Sequence, residues 1–181
     1  MKYLIDLKKI LFVFVAVAVS TVCGMAADLD DGTLSCLKDE STIAVKIDCT
    51  KIVYTEKGQT FKDFVIHARR KPDWQIISLN YFVEHFNDNS SNIKAVEAGL
   101  AGQTDSIDCR YELILTPTTV DKHGKITADV YLKERKSAQQ LAQMSFTASG
   151  CNWDDNMFKD NMKSGGKQIA GLINKELKKE Y

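Results

Sequence analysis

Ile107-Asp-Cys-Arg-Tyr-Glu-Leu-Ile-Leu-Thr-Pro117 and Gly124-Lys-Ile-Thr-Ala-Asp-Val-Tyr-Leu-Lys133 are the two runs from which the fold is read. In the first, Ile107, Cys109, Tyr111, Leu113 and Leu115 alternate with Asp108, Arg110, Glu112, Ile114 and Thr116. In the second, Ile126, Ala128, Val130 and Leu132 alternate with Thr127, Asp129 and Tyr131. A period of two puts each apolar set on one side of a pleated strand. Between the runs, Asp121-Lys-His-Gly-Lys125 supplies turn chemistry, with Gly124 free to take a positive φ. The pair predicts an antiparallel hairpin at the centre of a sheet. Pro117 is expected to weaken its far end, because proline cannot donate to a ladder.

Further strands flank this hairpin. Downstream, Ala142, Met144, Phe146 and Ala148 share one face of a run from Leu141 to Ala148. Upstream, between Ile43 and Tyr54, Val45, Ile47 and Cys49 alternate with Lys46, Asp48 and Thr50. Helical spacing fills the interval between them. Phe61, Phe64, Val65 and Ala68 recur at three and four with Thr60 as N-cap, and Pro72 ends that segment. Ile76, Leu79, Phe82, Val83 and Phe86 form a second apolar stripe, and a short helical piece is expected from Asn92 to Leu100.

A last helix is expected after Asn152–Asp155, carrying Phe158, Met162, Ile169, Leu172, Ile173 and Leu177. Gly165 and Gly166 sit in its stripe and together cost roughly 2 kcal/mol relative to alanine. Either the helix breaks at Ser164 or the backbone packs very closely there. The resulting expectation is a single α+β domain over 43–181: about four strands in a mixed sheet, a central antiparallel hairpin, and helices packed on one face. Residues 27–42, rich in Asp28, Asp30 and Asp31, read as a flexible lead-in.

The amino terminus sets the compartment. Lys2, Lys8 and Lys9 precede an apolar run from Ile10 to Val19, and Gly24 and Ala26 stand at −3 and −1 of a cleavage point before Ala27. That pattern reads as a signal peptide over 1–26, and export to the periplasm, the outer membrane or beyond is expected. Ile10 to Ala27 carries no charge over 18 residues, which is near the lower limit for a span, but Ser20, Thr21 and Gly24 dilute its second half. Lipidation at Cys23 is disfavoured by Val22, since small residues normally precede such a cysteine. Membrane contact is therefore expected only through the leader or, failing cleavage there, a lipid on Cys23.

The chain has 24 basic and 24 acidic residues. Three lysines and Asp6 leave with the leader, so the mature chain carries a net charge of −2. This balance has no basic footprint for nucleic acid. Cys36, Cys49, Cys109 and Cys151 remain, an even number that in an oxidising compartment implies disulfides of open connectivity. No CxxC occurs, which removes thioredoxin-type and zinc-ribbon chemistry.

Candidate reactive groups do not assemble into a site. His67 and His85 fall on expected helices and His123 in a turn, and neither a G-x-S-x-G elbow nor a phosphate loop occurs. Asp154 and Asp155 read as helix caps, and Trp74, Tyr81, Phe82 and Phe86 as a core face. No catalytic residue, cofactor or metal is expected.

The string from Asp108 to Pro117, that from Gly124 to Lys133, the strand ending at Gly150 and Phe158-Lys-Asp-Asn-Met162 resemble a group of small exported envelope proteins. More distantly, they are similar to the α/β domain of curli-assembly and penicillin-binding-protein-activator lipoproteins. The resemblance covers roughly 43–177 and implies a non-enzymatic module that binds or helps assemble envelope components. The competing expectation is a small-ligand-binding protein or an enzyme whose site is built from scattered residues. The leader gives the first prediction. Intact mass of the protein recovered from an exporting cell should start at Ala27, whereas a mass beginning at Met1 or a lipid on Cys23 would overturn cleavage.

Overall fold

The computed structural model describes residues 26–55, 59–60, 73–121, 123–149 and 157–179. The leader, Cys23, the expected helix from Phe61 to Ala68, His67, Asp154, Asp155 and Cys151 lie outside the described residues. Among the described residues eight strands form one mixed sheet: β1 (Asp28–Gly32), β2 (Thr42–Ile47), β3 (Val53–Tyr54), β4 (Gln59–Thr60), β5 (Lys94–Leu100), β6 (Tyr111–Val120), β7 (Lys125–Glu134) and β8 (Gln140–Ser149). The α-helices among the described residues are α1 (Trp74–Asn89) and α2 (Met157–Lys178). Strand order is β1-β8-β7-β6-β2-β5, and the two-residue β3 pairs with both β4 and β6.

The α+β class and the central hairpin stand; the strand count does not. Three of the additional strands come from segments whose composition pointed elsewhere. Residues 27–42 are a packed part of the body rather than a flexible lead-in. β1 runs antiparallel along β8, Asp28 opposite Ser145, and Leu34 and Leu37 are buried. An uncovered β8 would leave a row of free backbone groups, and β1 closes it while its aspartates stay in solvent.

Residues 94–100 are likewise a strand, not a helix. The Lys94 amide donates to the Ser41 carbonyl at 2.8 Å, and β5 pairs in parallel with β2. On its outer side, the Asn87 carboxamide accepts from the Ala95 amide at 2.7 Å and donates to the Ala95 carbonyl at 3.0 Å. The helix propensity of Ala95 and Ala98 yields to these tertiary bonds. Thr60, expected as a helix cap, belongs to β4.

The hairpin is antiparallel as expected: Leu113 faces Leu132, Leu115 faces Val130, and Gly124 takes a φ of 74° in the turn. Its first strand begins four residues later than the alternation suggested, because Ile107 to Arg110 belong to the connection from β5. It also continues through Pro117 to Val120, with a bulge between Pro117 and Thr119 absorbing the missing donor.

Leu113, Leu115, Val130, Leu132, Met144 and Phe146 point to one side of the sheet, where Leu79, Phe82, Phe86, Met162, Ile169 and Ile173 of the two helices cover them. The helices pack against each other as well as on the sheet. Gly165 lies against β8 and Gly166 against α1, and α2 runs unbroken through both. A methyl at Gly165 would enter the Phe146 ring, and one at Gly166 would collide with the Phe82 carbonyl oxygen and lie 2.9 Å from the Phe86 amide nitrogen. The glycines are therefore the condition for this packing, at the helix cost noted above.

Gly166→Ala should accordingly lower stability by about 1–3 kcal/mol, although alanine is the better helix former, because the opposing atoms are backbone and cannot rotate aside. Chemical denaturation measures it. An unchanged or raised midpoint would show that the helices do not meet there.

Candidate functional site

The other side of the sheet carries no helix among the described residues, and the strand pairings lay its side chains out in rows. Ala44, Glu112, Lys133 and Gln140 make one row, Lys46, Ile114, Tyr131 and Gln143 the next, and Thr116, Asp129, Ser145 and Asp28 a third. The same alternation that sends Val45 and Leu113 into the core places Lys46 and Glu112 here. Covering part of this face is the connection 101–110, which leaves β5 after the Ala101 amide donates to the Ile47 carbonyl at 2.9 Å.

Four charges hold that connection down. Lys46 Nζ lies 2.8 Å from Asp105 Oδ2 and donates to the Gln103 carbonyl at 2.8 Å. Arg135 Nη2 bonds Asp105 Oδ1 at 2.5 Å, and its Nη1 donates to the Ile107 carbonyl. Glu112 Oε2 closes the ring, 3.8 Å from Lys46 Nζ and 3.6 Å from Arg135 Nε. Each cation meets both anions, and the ring is neutral. Lys46 is only 8% exposed, so its charge is tolerated there because it is paired. The hydrogen bond from Lys46, joined by those from the Ile107 amide and Arg135, holds the Asp105 carboxyl at about 2, against burial pushing the other way.

Beside the ring lies a cleft of about 390 Å³ lined by Asp48, Lys51, Ile114, Thr116, Tyr131 and Lys133, among others. Tyr131 donates to Asp129 Oδ2 at 3.1 Å, and burial followed by that bond raises its phenol pKa. The volume falls within the range of small-ligand sites. No serine, cysteine or histidine is among the lining residues.

The residues singled out from the sequence are scattered. Cys36, Cys49 and Cys109 are free thiols, so no disulfide joins any two of them. Cys49 packs against the core in the turn after β2, where burial pushes its thiol up. Burial also raises Cys36, in the 3-10 turn Ser35–Leu37. Cys109 contacts the Thr42 hydroxyl at 3.6 Å. His85 pairs at 3.6 Å with Asp88 on α1, and His123 stays in the hairpin turn, its amide donating to Asp121 at 2.8 Å. Phe82 and Phe86 are buried, and Trp74 meets Phe158 edge-on at 4.9 Å. Among the described residues no group of three His, Cys, Asp or Glu side chains is arranged to hold a metal.

What the sequence reading missed is the ring itself. Its signal was present for two members, Lys46 and Glu112, at outward positions of alternating strands. Asp105 and Arg135 lie in connections without periodicity, and only the folded chain brings them together.

No family model matches the chain, and no curated protein matches it. Solved structures do. A PelC dodecamer subunit from Paraburkholderia phytofirmans is similar over 80% of this chain and 96% of its own, at 10% identity and a TM-score of 0.46. A protein of the DUF330 family model from Xanthomonas campestris aligns over 86% of this chain and 97% of its own, at 12% identity and a TM-score of 0.42. TolB from Acinetobacter baumannii matches 84% of this chain with 31% of its own length, at 8% identity and a TM-score of 0.38.

The ring makes stability depend on pH with a definite sign. Asp105 is depressed from 3.8 to about 2, so its contribution is fully present above pH 3.8 and is lost as pH falls towards 2. Asp105→Asn should cost about 1–2 kcal/mol at pH 7, allowing for solvent screening, and should flatten the fall in stability between pH 4 and 2. Urea midpoints of both proteins across that range test this; parallel pH curves would contradict it.

Proposed function

We propose that the chain is an exported, envelope-associated module without catalytic activity, and that it binds or helps assemble other envelope components through the open face of its sheet. The observation that carries this reading is the asymmetry of the sheet: one face is closed by α1 and α2, while the other presents rows of polar and charged side chains braced by the four-charge ring. A face prepared in this way loses little freedom when a partner covers it, which is what preorganisation contributes to affinity. Tyr131 gives it an aromatic contact of the kind enriched at protein interfaces, flanked by Ile114 and Lys133.

The leader supports the periplasm or outer membrane as the place of action, and the resemblance to curli-assembly and penicillin-binding-protein-activator domains, which rests on the sequence strings alone, supports an assembly role. Among the described residues no helix is long and apolar enough to cross a membrane. The second reading, a small-ligand receptor, is favoured by the cleft at Asp48, Lys51, Tyr131 and Lys133.

Photo-crosslinking in living cells separates the two. A photoreactive residue at position 131 should capture a discrete envelope protein, one at position 84 on the exposed side of α1 should not, and Lys133→Glu should abolish the adduct. Equal capture at both positions, or none at 131, would overturn the proposed binding face. A small molecule co-purifying with the wild type and lost in Lys133→Glu would favour the receptor reading instead.

A further inference from the structure

The cleft beside the ring holds charges and a hydroxyl that the fold itself leaves without partners. Asp48, just beyond β2, stands next to Thr116, because its amide donates to the Leu115 carbonyl at 2.8 Å and carries the β2–β6 pairing one residue further. Asp48 Oδ1 accepts from the Thr50 amide at 3.0 Å and the Thr50 hydroxyl at 2.6 Å, which fixes its own turn. Its Oδ2 receives no bond among the described residues. Lys51 and Lys133 line the same cleft, and neither is paired with a carboxylate among the described residues. The cross-strand neighbour of Lys133 is Glu112, whose carboxylate is engaged in the ring.

Thr116 is the decisive member. It is 2% exposed, it lines the cleft, and its hydroxyl has no hydrogen-bond partner among the described residues. A buried hydroxyl in that state carries a desolvation cost that a bound group can relieve. Tyr131 has already given its proton to Asp129, so its phenol offers the cleft only acceptor lone pairs.

The layout sets the shape of the ligand. Asp48 and Thr116 share one row of the open face, Ile114 and Tyr131 the next, and Lys133 and Gln140 the third. Successive rows are about 6.7 Å apart, so Asp48 and Lys133 are based about 13 Å apart along the strands, with Ile114 and the Tyr131 ring between them. Lys51, in the turn after β2, belongs to the Asp48 end. A plain cation would meet two lysines here, and a plain anion would meet Asp48. One negative and two positive charges spread along an apolar strip are complemented by one positive and two negative charges on a short carbon chain.

We infer that the cleft binds a small amino dicarboxylate, with its ammonium on Asp48 Oδ2 and the Thr116 hydroxyl, one carboxylate on Lys51, the other on Lys133, and its methylenes on Ile114 and the Tyr131 ring. A space of about 390 Å³ accommodates such a solute. The inference rests on the receptor reading proposed above and names its ligand.

The test is calorimetric titration of the purified exported protein with each enantiomer of glutamate, with glutarate and with putrescine. One enantiomer of glutamate should bind at a single site. Lys133→Gln and Asp48→Asn should each weaken it about tenfold or more, whereas Lys175→Gln on α2 should leave it unchanged. Asparagine keeps the oxygen that accepts from Thr50, and urea midpoints equal to wild type confirm that the variants fold. Glutarate, which lacks the ammonium, should bind more weakly than glutamate and lose nothing further in Asp48→Asn. Putrescine should not bind. No saturation by either enantiomer up to about 10 mM, equal affinity in Lys133→Gln, or binding of putrescine would overturn the inference. Native mass spectrometry tests the receptor reading apart from it. A different solute that co-purifies with the wild type and is lost in Lys133→Glu would overturn the amino dicarboxylate and leave the receptor standing.

Discussion

Gly165 and Gly166 let α2 approach the Phe146 ring and the backbone of α1 at Phe82 and Phe86, and the remainder of the architecture depends on that approach. Interiors are close-packed, so an extra carbon on either residue would have to push a strand or a helix outward. With the glycines in place, two helices cover the apolar faces of β2, β6, β7 and β8 together. The adjacent glycines are unfavourable for an isolated helix, and their presence is understandable only from the tertiary contact they permit.

Closing one side so completely leaves the opposite side to be stabilised by other means. There the protein uses charge. Lys46, Asp105, Glu112 and Arg135 neutralise one another and clamp the connection 101–110 over the end of β2 and the start of β6. Removing one member would leave the partly buried ring with an uncompensated net charge, so it tolerates little variation. The two edges are managed as well: β1 covers much of β8, Gln168 takes the Thr147 carbonyl beyond it, and Asn87 occupies the outer backbone groups of β5 at Ala95. Such capping limits uncontrolled strand pairing and directs association to side-chain surfaces.

How much of this was legible beforehand follows from the range of each interaction. The hairpin β6–β7, strand β8 and both described helices were readable because alternation and helical spacing are local, and the burial of Phe82, Phe86, Phe146 and Ile169 follows from them. β1 and β5 were not. Three aspartates in five residues look like a solvated tail until β8 offers an edge, and the alanines of β5 favour a helix until Ser41 and Asn87 satisfy the backbone. The ring was invisible for a related reason: Glu112 and Arg135 are 23 positions apart, and Lys46 reaches Asp105 across 59. Cysteine count alone anticipated bonds that Cys36, Cys49 and Cys109 do not make with one another, because parity carries no geometry.

The central claim is that, among the described residues, α1 and α2 seal one side of the sheet and no helix covers the other. Hydroxyl-radical footprinting of the folded protein reads both sides at once. The account predicts rapid modification of Tyr131 and strong protection of Met144 and Phe146, although Tyr131 and Met144 lie on neighbouring strands. Comparable oxidation of all three would contradict it.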